Sequence, residues 1–213
     1  MRYERKYKVD DINLPLVQQI IKSHPYSFRQ NFPDRQVNNI YFDTPDHQTF
    51  FDNVVGAPER SKYRLRWYGP IREKISKPRF EIKFKSFLLG SKRVIELDDF
   101  HLDDLAAVQV KIAELAPKAG VLKPVLSNAY QRSYYKSLNG LFRITIDSEL
   151  KFSHAGKSGI LGLNGFAHKF PGIIVELKYE DLYDDLANEV MQYIPFRNSK
   201  NSKYITGLSM IMT

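Results

Sequence analysis

Three short stretches pair a carboxylate with an ammonium two residues further on: Glu4 with Lys6, Glu81 with Lys83, and Glu176 with Lys178. In an extended strand, residues two apart share a face. Each pair therefore sets a cation suited to phosphate beside a carboxylate suited to a divalent metal. One such pair means little in a chain with 26% charged residues, because an exposed ion pair is worth under ~1 kcal/mol. Three of them, each with apolar neighbours at alternate positions, are more specific. Arg64 and Arg66 add two guanidinium forks at the same spacing, a geometry that fits phosphate oxygens and is poorly replaced by lysine.

The charge distribution supports an anionic ligand. The 213 residues carry a net +8, yet residues 60 to 93 hold twelve Lys or Arg against two Glu, a local +10 that leaves −2 for the rest of the chain. A local basic site is implied rather than a generally basic surface. Nucleic acid, an acidic membrane surface and a polyphosphorylated small molecule all satisfy the charge alone.

The elements that must position these residues read mostly as strands of period two. Tyr3 to Val9 sets Glu4, Lys6 and Lys8 against Tyr3, Tyr7 and Val9, and Ser61 to Tyr68 sets Lys62, Arg64 and Arg66 against Tyr63, Leu65 and Trp67. Phe80 to Phe84 opposes Glu81, Lys83 and then Lys85 to Phe80, Ile82 and Phe84. Leu141 to Leu150 opposes Arg143, Thr145, Asp147 and Glu149 to Phe142, Ile144, Ile146 and Leu150. Gly172 to Glu180 opposes Glu176, Lys178 and Glu180 to Val175, Leu177 and Tyr179. Weaker strand patterns at Val37 to Asp43, Lys92 to Leu97 and Asn128 to Lys136 bring the total to about eight. Helical spacing appears at Leu14 to Lys22, Leu102 to Leu115 and Leu182 to Ile194, the last two with aspartates crowding the start, where they favour the helix dipole.

The expected fold is mainly β (α+β), a single domain over residues 1 to 213. The helices cover the apolar faces of the strands. The charged faces could lie in water on a flat antiparallel sheet. Five strands sharing the habit, in a sheet of about eight, instead suggest closure into an antiparallel β-barrel, a charged, water-filled tunnel with flanking helices that would hold a long, thin anion.

Eight short motifs occur in one order along the chain: Tyr3-Glu-Arg-Lys-Tyr7, Tyr41-Phe-Asp-Thr-Pro45, Tyr63-Arg-Leu-Arg-Trp-Tyr-Gly69, Phe80-Glu-Ile-Lys83, Tyr130-Gln-Arg132, Arg143-Ile-Thr-Ile-Asp147, Val175-Glu-Leu-Lys178 and Ser202-Lys-Tyr204. Together they resemble the VTC domain, named for the vacuolar transporter chaperone, which is the polyphosphate-polymerase branch of the triphosphate tunnel metalloenzymes. The resemblance implies a tunnel that binds triphosphate or polyphosphate, with Mn²⁺ or Mg²⁺ assisting phosphoryl transfer. It implies phosphate-binding cations at Lys6, Arg64, Arg66, Lys83, Arg132, Arg143 and Lys203, with Lys92 a further cation whose register is ambiguous beside Arg93. Tyr130 and Ser202 would be added hydrogen-bond donors, Lys62 a substrate contact and Glu176 the metal-binding carboxylate. A metaphosphate-like transition state asks for charge rather than covalent help, so such a set could carry most of the catalysis.

The resemblance implies a polymerase that moves the γ-phosphate of a nucleoside triphosphate onto a polyphosphate chain. Transfer to water would make a triphosphatase on the same scaffold, and a non-catalytic polyphosphate-binding module would keep only the cations. A specific nucleic-acid role is disfavoured, because Tyr63 and Trp67 alternate away from the arginines and so suit packing better than base stacking. Gly156-Lys-Ser-Gly159 has the end of a phosphate-binding loop but Lys at position 151 where its first Gly belongs, so it reads as a loop with Lys157 flanking the tunnel mouth. The five His show no metal spacing. Zero Cys excludes thiolate chemistry and suits a reducing, cytoplasmic setting. No stretch is long and apolar enough to span a bilayer, so any membrane partner would be a separate chain.

Overall fold

A computed structural model describes residues 2–71, 74–87, 89–155 and 167–212. Its strands are β1 (Arg2–Val9), β2 (Arg29–Asp43), β3 (Glu59–Tyr68), β4 (Lys74–Ile75), β5 (Arg79–Ser86), β6 (Leu89–Glu96), β7 (Phe100–His101), β8 (Lys123–Lys136), β9 (Arg143–His154), β10 (His168–Lys169) and β11 (Ile173–Glu180). Its helices are α1 (Leu14–Lys22), α2 (Gln48–Val55), α3 (Leu105–Leu115), α4 (Asp184–Gln192) and α5 (Lys203–Met212). The main sheet runs in the order β1-β11-β9-β8-β2-β3-β5-β6, with β10 on β9 and a separate β4-β7 pair.

The five alternating segments are all strands, and the expected closure of the sheet is corrected: the path is open. The edge of β1 is taken by an irregular segment rather than another strand. Ser199 N–H donates to Lys6 O at 2.7 Å, Lys8 N–H donates to Ser199 Oγ at 3.1 Å, and Tyr7 bridges Asn198. A covered edge has few backbone groups left to recruit a partner. At the other end β6 is almost wholly exposed and bears Lys92 and Arg93, charges that discourage further pairing.

The chain clusters into two compact units. Unit 1 comprises Met1–Arg35, Tyr130–Leu150 and Lys169–Asn201. Its core joins Tyr7, Ile144, Val175 and Leu177 of the sheet to Val17 and Ile21 of α1 and to Ala187 and Val190 of α4. Helix α1 starts where Asn13 Oδ1 accepts from Leu16 N–H at 3.0 Å, with Pro15 in its first turn, a favourable start for a helix.

Unit 2 comprises Gln36–Ala129, Lys151–His168 and Ser202–Thr213. Its core packs Ile40, Leu65, Trp67 and Phe80 against Ile112 of α3. Sequence spacing missed α2 and α5, and it also placed the starts of α3 and α4 two or three residues early, where 3₁₀ turns precede the α-helices. The missed helices are tied together through Asp43. Its carboxylate accepts from the Thr49 and Phe50 amides at 2.9 Å, so it satisfies the open donors of α2, and it also accepts from the Tyr204 hydroxyl on α5. Gly207 lets α5 approach closely, since a Cβ there would collide with Phe152 and Leu126. The expected loop at Gly156-Lys-Ser-Gly159, with Lys157, lies outside the described residues. No helix among the described residues is long and apolar enough to cross a membrane.

Candidate functional site

In unit 2, strand register assembles a cation cluster around one carboxylate. Arg64 on β3 lies opposite Glu81 on β5, and Asn39 on β2 lies opposite Arg66. Arg64 Nε donates to Glu81 Oε2 at 2.6 Å, Lys92 Nζ lies 2.9 Å from Oε1, and Arg66 Nη1 lies 3.7 Å from Oε1. Glu81 is only 4% exposed. Burial pushes its carboxyl up, but Arg64, Arg66 and Lys92 together hold it down at about 2. Lys92 is drawn below its usual value, first by burial and then by the repulsion of the two arginines, with Glu81 opposing both.

Arg66 is further oriented by Asn39, whose Oδ1 accepts from Nε at 2.9 Å, and Asn39 in turn donates to Asn128 Oδ1 at 2.8 Å. Asn128 Nδ2 is buried with no hydrogen-bond partner. Sequence reasoning assigned no role to Asn39 or Asn128; two asparagines in strand patterns, where asparagine is depleted, were the available signal.

The same strands set like charges side by side. Lys62 lies opposite Lys83, and Lys83 opposite Lys92. Directly opposed like charges destabilise a sheet on their own. Lys62 Nζ donates to Ser202 Oγ at 2.9 Å, which brings two of the expected residues together, and Lys203 opens α5 beside them in sequence, partly buried. Lys83 is exposed.

In unit 1, the register Lys6↔Glu176 and Glu4↔Lys178 interleaves charges between β1 and β11. Glu176 is 4% exposed. Lys178 Nζ lies 2.8 Å from its Oε2, Lys6 Nζ 3.6 Å from Oε1, Arg132 Nη2 3.6 Å from Oε2, and the Thr145 hydroxyl 3.5 Å from Oε2. Glu4 sits 3.7 Å from both Lys6 and Lys178. Lys6 also donates to Asn201 O at 3.1 Å.

Arg132 forms a two-point pair with Asp147, Nε to Oδ1 at 2.5 Å and Nη2 to Oδ2 at 2.7 Å. Burial alone would lower the Arg132 pKa, but Asp147, with Tyr130 and Glu176 adding to it, raises it well above the usual value. Asp147 was placed on a polar strand face without a role; it is fully buried and fixes that guanidinium. Tyr130 was expected to donate a hydrogen bond, and its ring also carries the Arg132 guanidinium, 5.3 Å from the centroid. Arg143 is exposed and lies opposite Lys178.

The three Glu-x-Lys pairs therefore divide. Glu81 is saturated by cations and serves to hold them. Glu176 and Glu4 share two lysines, and no three His, Asp or Glu side chains gather in a metal-binding group among the described residues. These residues still fit Mg²⁺ or Mn²⁺ in one way, with Glu176 as carboxylate donor and the remaining ligands drawn from phosphate oxygens and water, as is usual for Mg²⁺ at phosphoryl-transfer sites.

The VTC domain family model matches residues 1–212, and the chain belongs to that family. No curated protein sequence matches it significantly. Among solved structures it is similar to a candidate adenylate cyclase from Vibrio parahaemolyticus, with 14% identity, a TM-score of 0.55 and coverage of 96% of this chain and 97% of that one. It is also similar to a protein from Pyrococcus horikoshii, with 15% identity, a TM-score of 0.54 and coverage of 98% and 99%. A third is an adenylyl cyclase candidate from Hippeastrum described as having a dominant triphosphatase activity, with 15% identity, a TM-score of 0.51 and coverage of 98% and 97%. At these identities the likeness is one of fold.

Proposed function

We propose that this VTC domain is a metal-dependent polyphosphate polymerase, moving the γ-phosphate of a nucleoside triphosphate onto a polyphosphate chain. The carrying observation is the row Lys62, Lys83 and Lys92 beside Arg64 and Arg66, like charges set side by side against a single carboxylate. Directly opposed like charges disfavour strand pairing, and a bound polyanion would offset that repulsion. Family membership supports phosphate as that polyanion.

In this reading Arg64, Arg66, Lys62, Lys83, Lys92, Lys203 and Ser202 hold phosphates in unit 2, and Lys6, Arg132, Arg143 and Tyr130 do so in unit 1. Asn39 and Asp147 keep the Arg66 and Arg132 forks from rotating. Fixed cations stabilise the charge that spreads over the transferred phosphoryl oxygens at no reorganisation cost. A divalent ion held at Glu176 would supply further charge neutralisation on those oxygens. Residues 1–213 would work as one domain in a reducing, cytoplasmic compartment.

Incubation with ATP and Mn²⁺, followed for both acid-stable polymer and free phosphate, tests this. Polymer is expected, and Glu176→Gln should lower turnover by about 100-fold while leaving polyphosphate affinity nearly unchanged. Phosphate release without polymer would replace the polymerase with a triphosphatase. Turnover that survives Glu176→Gln would remove the metal role, and polyphosphate binding without turnover would leave a binding module.

A further inference from the structure

Unit 1 contains a cavity of about 370 Å³, within the range of small-molecule sites. One part of its lining is cationic: Arg132, Arg143 and Lys178. Two of these, Arg132 and Lys178, are the same side chains that reach Glu176, as is Thr145, which also borders the cavity. Another part is aromatic, with Phe32, Tyr134 and Tyr183.

Phe32 is 50% exposed, so its ring face is open to a ligand in the cavity. Its ring is held edge-to-face on Tyr134, 5.9 Å between centroids at 84°, and the Arg35 guanidinium lies 5.5 Å from the Phe32 centroid and 5.9 Å from that of Tyr134. The ring is therefore steadied without being buried. Asn31 precedes it on β2 and also borders the cavity. A polyphosphate chain has no use for a phenyl ring, whereas a nucleobase has a flat π-face that stacks on one.

Resting on the functional reading above, we propose that this cavity receives the base and ribose of the nucleoside triphosphate. The base stacks on Phe32, and the triphosphate enters among Arg132, Arg143 and Lys178. Base recognition then belongs to Phe32, and phosphate recognition to the cations, so the two can be separated by mutation.

Calorimetric titration of the full chain with ATP and, separately, with inorganic tripolyphosphate tests the assignment. Phe32→Ala should weaken ATP binding by about 5- to 100-fold and leave tripolyphosphate within about 2-fold, while Phe32→Trp should keep ATP binding. Equal losses for ATP and tripolyphosphate in Phe32→Ala, or no loss for either, would overturn the nucleoside site alone. A wild-type chain that binds neither ligand would overturn the functional reading and this assignment with it.

Discussion

Around Glu81 in unit 2, three cations share one carboxylate; around Glu176 in unit 1, Lys6, Lys178 and Arg132 meet three carboxylates, Glu4, Glu176 and Asp147. The first cluster carries surplus positive charge and should attract phosphate unaided. The second is balanced among these six groups, and its surplus for phosphate comes from exposed Arg143, which lies opposite Lys178, with any bound divalent ion adding to it. The same Glu-x-Lys spelling thus serves two ends. In one place the carboxylate gathers two arginines of β3 and a lysine of β6, and in the other it shares two lysines with a second acid, Glu4.

The sharpest break in this comparison is expected in stability. Arg132→Ala leaves Asp147, which is fully buried, without its two-point partner and should cost about 3–5 kcal/mol in urea unfolding. Arg64→Ala should cost less, ~1.5–3 kcal/mol, because Glu81 keeps Arg66 and Lys92. Equal costs would mean that the two clusters are not differently balanced.

Acid provides the next test. The folded Glu81 carboxyl sits at about 2, below its usual 4.5. Its ionised form is therefore favoured by folding, and its contribution is complete above pH 4.5 and is lost as pH falls toward 2. That contribution is on the order of 3 kcal/mol. Tm followed by circular dichroism should fall over this window, and Glu81→Gln should flatten that limb.

The smallest effect is expected in the salt dependence of polyphosphate binding without metal. Arg66→Gln should make the plot of log affinity against log salt shallower by about one. Lys6→Gln should change it less, because Glu4 and Glu176 already neutralise that ammonium. A larger change for Lys6 would reverse the assignment of surplus charge to unit 2.

Much of the fold was legible in the chain. The five charged and apolar alternations became β1, β3, β5, β9 and β11, because one face of each strand had to be buried. β2 was read as far too short, since its first half is exposed and polar and shows no alternation to the eye. α5 escaped because it depends on a distant partner, Phe152 against Gly207, and α2 because its cap residue His47 makes no side-chain hydrogen bond and its open amides are met instead by Asp43, several residues upstream. The closed barrel was not found because the segment at 198–199 covers the edge of β1. The cations were legible as cations, but their anchors Asp147, Asn39 and Asn128 were not.

What the chain order alone determined is which residues share a strand face, since the alternation of successive side chains is a property of the extended backbone itself. Which charges meet was decided by inter-strand register, which depends on pairings between segments far apart in the chain. Glu81 met Arg64 and Lys92, and Glu176 met Lys6 and Arg132, only once those registers were set. The difference between a saturated carboxylate and one beside a second acid lies in those contacts, because electrostatic coupling falls with distance in space and takes no account of distance in sequence.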